Sequence, residues 1–271
     1  MNVVTLPMYD LPEVRWATSR LLDYVVEHLE RAGWPTRPVF GEFADHASLV
    51  RHWRDSETAL SHACGLPYVE ALADDVQVLG TFRWSAVSDG NGWYRSVLVV
   101  RRDDPRTIAD LANAQPVINN PESLSGWCSL GAALAEVGYA SGDFPAPVIS
   151  GAHRQSLAMV SGGAGDFAAI DGATFRLFER HRPEAVAAVR TIGLGPEVPA
   201  TPLITRMQTP IPLDAVRACV VGAIGDALAS GACEALGIEG FVPLNNHDYA
   251  SLIGLVEKAE AVLPRHGASI R

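Results

Sequence analysis

Pro116-Val117-Ile118-Asn119-Asn120-Pro121-Glu122-Ser123-Leu124-Ser125-Gly126-Trp127 is an apolar run that breaks into a polar turn and reopens as a helix. The helix carries Trp127, Leu130, Leu134 and Val137 on one side, the spacing of an amphipathic face. The same phrase recurs downstream. Pro147-Val148-Ile149 precedes a helix through Leu157 and Val160, Phe167-Ala168-Ala169-Ile170 leads into Gly172–Leu177, and Val189–Ile192 is a fourth strand. Strands alternating with helices predict an α/β fold. Upstream, Val3–Leu6 and Val76–Thr81 read as strands, as does Ser96–Val100, and Val14, Ala17, Leu21, Val25 and Leu29 mark a helix that Gly33 stops. The charged stretch Arg101–Pro105 is a break. Pro202–Thr205 returns the chain, and helices follow near 214–230 and 247–261. An insert bounded by strands near Val97 and Leu203 predicts two lobes. Lobe 1 is residues 1–97 with 204–271, lobe 2 is 98–203, and hinges fall near 95–101 and 202–206.

Composition narrows the function classes. With 271 residues, 48% of them hydrophobic and 19% charged, the chain has ample core for two domains. Its net charge of −10 argues against a nucleic-acid partner, whose phosphates need a basic face. A small anion is still allowed, because a few backbone N–H groups and one or two cations can hold it. Cys64, Cys128, Cys219 and Cys233 form no C-x-x-C pair and read as buried free thiols. The eight histidines show no ligand spacing, so no metal is expected, and no cofactor motif appears. His62 and Cys64 are too close in sequence to make a nucleophile–base pair. The first residues lack a basic stretch, a long apolar core and a cleavage site. A cytoplasmic protein with no membrane insertion is therefore expected as the sequence stands, or a periplasmic or extracellular one if the start site lies elsewhere.

The candidate site lies at the strand-to-helix junctions. Ser123 and Ser125 are N-cap candidates, and Gly126 lets a ligand approach the backbone. A helix start offers orphan N–H groups to an anion. His153 sits at a second junction, Ser150–Leu157, and Asp171 at a third, where it is either a ligand acceptor or a helix cap. Parallel strands bring such junctions to one edge. From the other lobe, Tyr9 follows the first strand, and Tyr94 and Arg95 open the strand into the insert, where Arg95 suits an anion or a salt bridge.

Cys64–Pro67, Tyr94–Ser96, Asn120–Gly126, Gly151–Arg154, Ala169–Asp171 and Pro202–Thr205, in this order, resemble the phosphonate-binding (PhnD-like) family of ABC-transporter substrate-binding proteins. The resemblance runs from about Leu6 to about Tyr249. It implies a type II periplasmic-binding-protein fold, each lobe a mixed sheet flanked by helices, with the ligand cleft between lobes. It also implies a solute-binding protein, not an enzyme, that closes around a small phosphonate- or phosphate-like oxyanion and hands it to a transporter permease. On that pattern Ser123 to Gly126 cradle the anion, His153 assists, and Asp171 and aromatic residues line the rest. Leu124 stands where many members have Thr or Ser, which removes one hydroxyl donor. The competing readings are a cytosolic enzyme on the same fold and a cytosolic ligand sensor.

Overall fold

The computed structural model describes residues 2–40, 43, 45–85 and 91–265; His266, among the histidines considered above, lies outside them. In chain order the strands are β1 (Asn2–Thr5), β2 (Thr36–Pro38), β3 (Thr58–His62), β4 (Val76–Trp84), β5 (Trp93–Tyr94), β6 (Val97–Arg101), β7 (Pro116–Ile118), β8 (Val148–Ile149), β9 (Phe167–Ile170), β10 (Val189–Leu194), β11 (Val198–Pro199), β12 (Pro202–Arg206) and β13 (Ile238–Val242). The main helices are α1 (Arg15–Arg31), α2 (His46–Arg54), α3 (Ser129–Glu136), α4 (His153–Ser161), α5 (Gly172–His181), α6 (Leu213–Ala229) and α7 (Leu252–Glu260).

The chain divides into two units. The first runs to Trp93 and resumes at Pro199–Ala250, and the second is Tyr94–Val198 together with the chain from Ser251 onward. The sequence reading put the changeovers near 97 and 203; they fall at 93/94 and 198/199, where β5 and β11 pair as a two-stranded ribbon.

The first unit is built on a sheet in the order β13-β4-β12-β3-β1-β2. β1 runs parallel to β2 and β3, and β12 runs antiparallel to β3 and β4. α1 buries Ala17, Leu21, Leu22, Val25 and Leu29 and packs on α6, which buries Val216, Val220, Ala223 and Ile224. β3 is buried along its whole length although three of its five residues are polar. Its hydroxyls are satisfied locally: Ser61 Oγ lies 2.7 Å from Thr5 Oγ1, and Thr58 Oγ1 donates to the His52 carbonyl at 2.7 Å. Polar groups are tolerated inside only when bonded in this way.

The second unit has the sheet order β10-β6-β9-β7-β8. β7 lies between β8 and β9 and is parallel to both, whereas β6 runs antiparallel to β9 and β10 antiparallel to β6. The C-terminal segment corrects the sequence reading, which gave everything after residue 204 to the first lobe. α7 instead lies on α3, and the approach is so close that a Cβ on Gly131 would stand 2.8 Å from the Ala259 Cα. Trp127 Nε1 donates to the Leu263 carbonyl at 2.9 Å, and Arg265 lies over the Trp127 ring at 4.4 Å. The expected helix from His247 starts only at Leu252, because Asn245 and Asp248 make a turn, the Asn245 side chain accepting from the His247 N–H at 2.8 Å.

Candidate anion site

Three parallel strands of the second unit end on one edge of its sheet, and each hands the chain to a helix start. After β7 the turn begins with Asn120, whose side chain accepts from the Glu122 N–H at 2.8 Å. Ser123 then caps the helix, its Oγ accepting from the Gly126 N–H at 3.0 Å. The first turn, Leu124–Cys128, is wide: the Cys128 N–H reaches back to the Ser123 carbonyl at 3.0 Å, and the turn runs directly into α3. The N–H groups of Leu124 and Ser125 have no hydrogen-bond partner among the described residues. Orphan donors at a helix start, with the positive end of the helix dipole behind them, suit an anion.

The sequence reading counted the Gly126 N–H among the anion donors. Ser123 Oγ accepts from that N–H, which leaves the N–H groups of Leu124 and Ser125 as the ones without a partner among the described residues. Leu124 is fully buried, and only its backbone can take part.

α4 follows β8 and brings His153 to this turn. Its Nε2 lies 3.0 Å from Ser125 Oγ, and a Cβ on Gly126 would stand 3.2 Å from the His153 Cε1. Burial pushes the imidazole below its usual range, against the pull of the Asp171 charge, so the ring is neutral at pH 7. The hydrogen bond to Ser125 then has two forms. With the proton on Nε2, the ring donates to Oγ and the serine hydrogen is free for a ligand. With the proton on Nδ1, the serine donates to the ring and Nδ1–H is left over; Nδ1 is buried and has no partner among the described residues. Either form leaves one donor over.

Asp171, after β9, is buried and doubly engaged. One oxygen accepts from the Thr174 N–H at 2.9 Å as the cap of α5, and the other from the Tyr94 hydroxyl at 2.9 Å. Its helix-cap reading is therefore realised, and Tyr94 supports it. Arg95 is exposed, and its guanidinium donates to the Gly195 carbonyl at 3.2 Å. Ser123, Ser125, Gly126 and His153 thus form one cluster, on which the Asp171 charge acts through His153; Tyr94 is tied to Asp171, and Arg95 is anchored beside Gly195. Tyr9 belongs to the first unit, where its ring lies 4.4 Å from Trp84 and its hydroxyl accepts from Thr201 Oγ1 at 3.4 Å. His62 faces the Thr201 carbonyl at 3.2 Å, buried beside Trp84.

The sequence reading missed Asn119, the residue just past β7. Its Oδ1 is buried with no hydrogen-bond partner among the described residues, and it lies 1.7 Å from where a Gly126 Cβ would be. A buried acceptor left unpaired costs about 1–3 kcal/mol. The signal that could have found it is position: a polar side chain at the carboxyl end of a strand, under a helix start that has a glycine in its first turn.

A family model described as the ABC-transporter phosphonate periplasmic substrate-binding protein matches residues 3–249. None of the curated proteins matches. Among solved structures, the chain is similar to PhnD1 of Prochlorococcus marinus in complex with methylphosphonate, with a TM-score of 0.73 and 14% identity over 96% of this chain and 98% of that one. XAC2383 of Xanthomonas citri bound to ATP gives a TM-score of 0.71 and 19% identity, covering 96% and 97%. The alkanesulfonate-binding protein SsuA of Xanthomonas axonopodis pv. citri bound to MOPS gives 0.57 and 15%, covering 97% and 80%. Such likeness shows the two-lobed periplasmic-binding-protein fold. No helix among the described residues is long and apolar enough to cross a membrane.

Proposed function

Because the chain belongs to the phosphonate-binding family of periplasmic ABC-transporter substrate-binding proteins, we propose that its ligand is a small phosphonate- or phosphate-like oxyanion held at the Leu124–Gly126 turn. The family is one of binding proteins and not of enzymes, so the expected act is capture and release without turnover. The observation that carries the site is the pair of unpartnered N–H groups on Leu124 and Ser125, beside a Ser125–His153 hydrogen bond that leaves one further donor in either proton arrangement. Ser123 holds the turn open to the ligand, and Asp171 and Tyr94 fix the neighbouring helix start. Tyr9 and Arg95 are contacts of lower weight, since each is already engaged within its own unit.

Family membership also supports the remaining expectations as proposals. They are delivery of the ligand to a membrane permease, movement of the two units about their chain crossings, and a periplasmic location. The cytoplasmic location read from the first residues has no support in the comparisons.

Calorimetric titration with methylphosphonate and inorganic phosphate tests the site. Binding of at least one, weakened tenfold or more by Ser125→Ala, is the expected result; that is a loss of about 1.4 kcal/mol. Affinity unchanged in both Ser123→Ala and Ser125→Ala would remove the proposed site.

A further inference from the structure

We propose that the site takes its oxyanion with a proton on it, as a hydrogen-phosphonate or hydrogen-phosphate ion, and that Asn119 selects this form against sulfonates and sulfate. The inference rests on the anion-site reading given above and goes beyond it, because the fold leaves the anion class open: a phosphonate-binding protein and an alkanesulfonate-binding protein share it.

A fully ionised tetrahedral anion has only acceptors. The Leu124 and Ser125 N–H groups and the donor left over by the Ser125–His153 bond suit three of its lone pairs. Asn119 Oδ1 does the opposite. It is itself an acceptor, buried, with no partner among the described residues. It is held at the end of β7 directly beneath the first turn, in space that exists only because residue 126 has no side chain. An ionised oxygen brought to that turn meets the carbonyl dipole negative end to negative end. A P–OH group brought there donates to it and satisfies it.

The surrounding charge acts the same way. The Asp171 carboxylate acts on His153 through its charge, and its two oxygens are fixed by the α5 cap and by Tyr94. A negative charge held in place there favours a monoanion over a dianion. Phosphate groups lose their second proton near pH 6 and keep it on a large share of molecules around that pH. Sulfonates and sulfate carry no proton there. Sites built to accept from a ligand hydroxyl reject analogues that lack one, by factors reaching about 10,000 or more.

The test is calorimetric titration at pH 6 with methylphosphonate and methanesulfonate, which match in shape and differ in the proton. The wild-type protein is expected to prefer methylphosphonate at least a hundredfold. Asn119→Ala is expected to narrow that preference to below tenfold, chiefly by weakening methylphosphonate. Wild-type affinities within tenfold of each other overturn the proton-selective role and leave the anion site standing. Equal weakening of both ligands by Asn119→Ala also overturns it, since Asn119 would then only support the turn. If neither ligand nor inorganic phosphate binds the wild-type protein, the anion-site reading falls first and this inference with it.

Discussion

His62 is fully buried, its ring lies parallel to that of Trp84, and its Nε2 hydrogen is donated to the Thr201 carbonyl at 3.2 Å. Burial pushes its pKa down to about 3, only partly offset by the bond to Thr201. The unfolded chain binds a proton on this ring below its ordinary value of about 6.5, whereas the native protein does not. Stability from the neutral ring is therefore complete above pH 6.5 and is lost as pH falls from there toward 3. The limiting slope is about 1.4 kcal/mol per pH unit. Gln at this position cannot titrate but keeps a donor for Thr201. We expect urea-unfolding stability to fall more steeply between pH 6.5 and pH 4.5 in the wild-type protein than in His62→Gln; parallel curves would mean that His62 charges in the native state. The same residue shows what a sequence can hide. Its tie to Thr201 spans 139 positions, so no local pattern announces it. Asp171 was legible as a helix cap, because the strand end and the cap that follows it are local. Its bond to Tyr94, 77 positions away, was not.

At the scale of elements, those whose chemistry repeats with a period were legible, and those held by partners were not. Phe167–Ile170 is apolar throughout and forms β9 as read, and the α1 stripe is the helix expected. β3 escaped notice because Thr-Ala-Leu-Ser-His has no apolar alternation; it is a central strand only because Thr5, His52 and β12 complete its polar groups. The candidate turn could be read because Ser123, Ser125 and Gly126 follow a strand, but which N–H groups lack a partner depends on the cap that Ser123 makes, a detail of geometry. The placing of α7 depends on a contact as well. Gly131 lets the Ala259 backbone approach α3, and a Cβ there would also stand 2.9 Å from the Ala259 carbonyl oxygen. Backbone atoms cannot swing aside as a side-chain end can. Gly131→Val should therefore cost about 1–3 kcal/mol and loosen α7 first. Hydrogen exchange would show protection lost at 252–260 before it is lost in β6 and β9. Loss that is uniform across the second unit would count against so local a role.

For the whole molecule, the relevant quantity is the excess of 31 acidic over 21 basic residues. A chain carrying −10 repels the anion it is proposed to bind, and holds it only through fixed dipoles at short range. The two effects differ in reach. N–H groups and the helix dipole act within a turn, whereas net charge acts over the Debye length, about 30 Å at 0.01 M salt and about 8 Å at 0.15 M. Added salt should thus remove the repulsion felt on approach while leaving the bound contacts nearly intact. Trp127 sits in the candidate turn itself, buried, and offers a natural fluorescence reporter. In stopped-flow mixing with methylphosphonate, the association rate should rise about two- to threefold between 10 and 150 mM NaCl, with little change in dissociation. A rate that falls with salt would show instead that exposed cations outweigh the net charge and steer the ligand in.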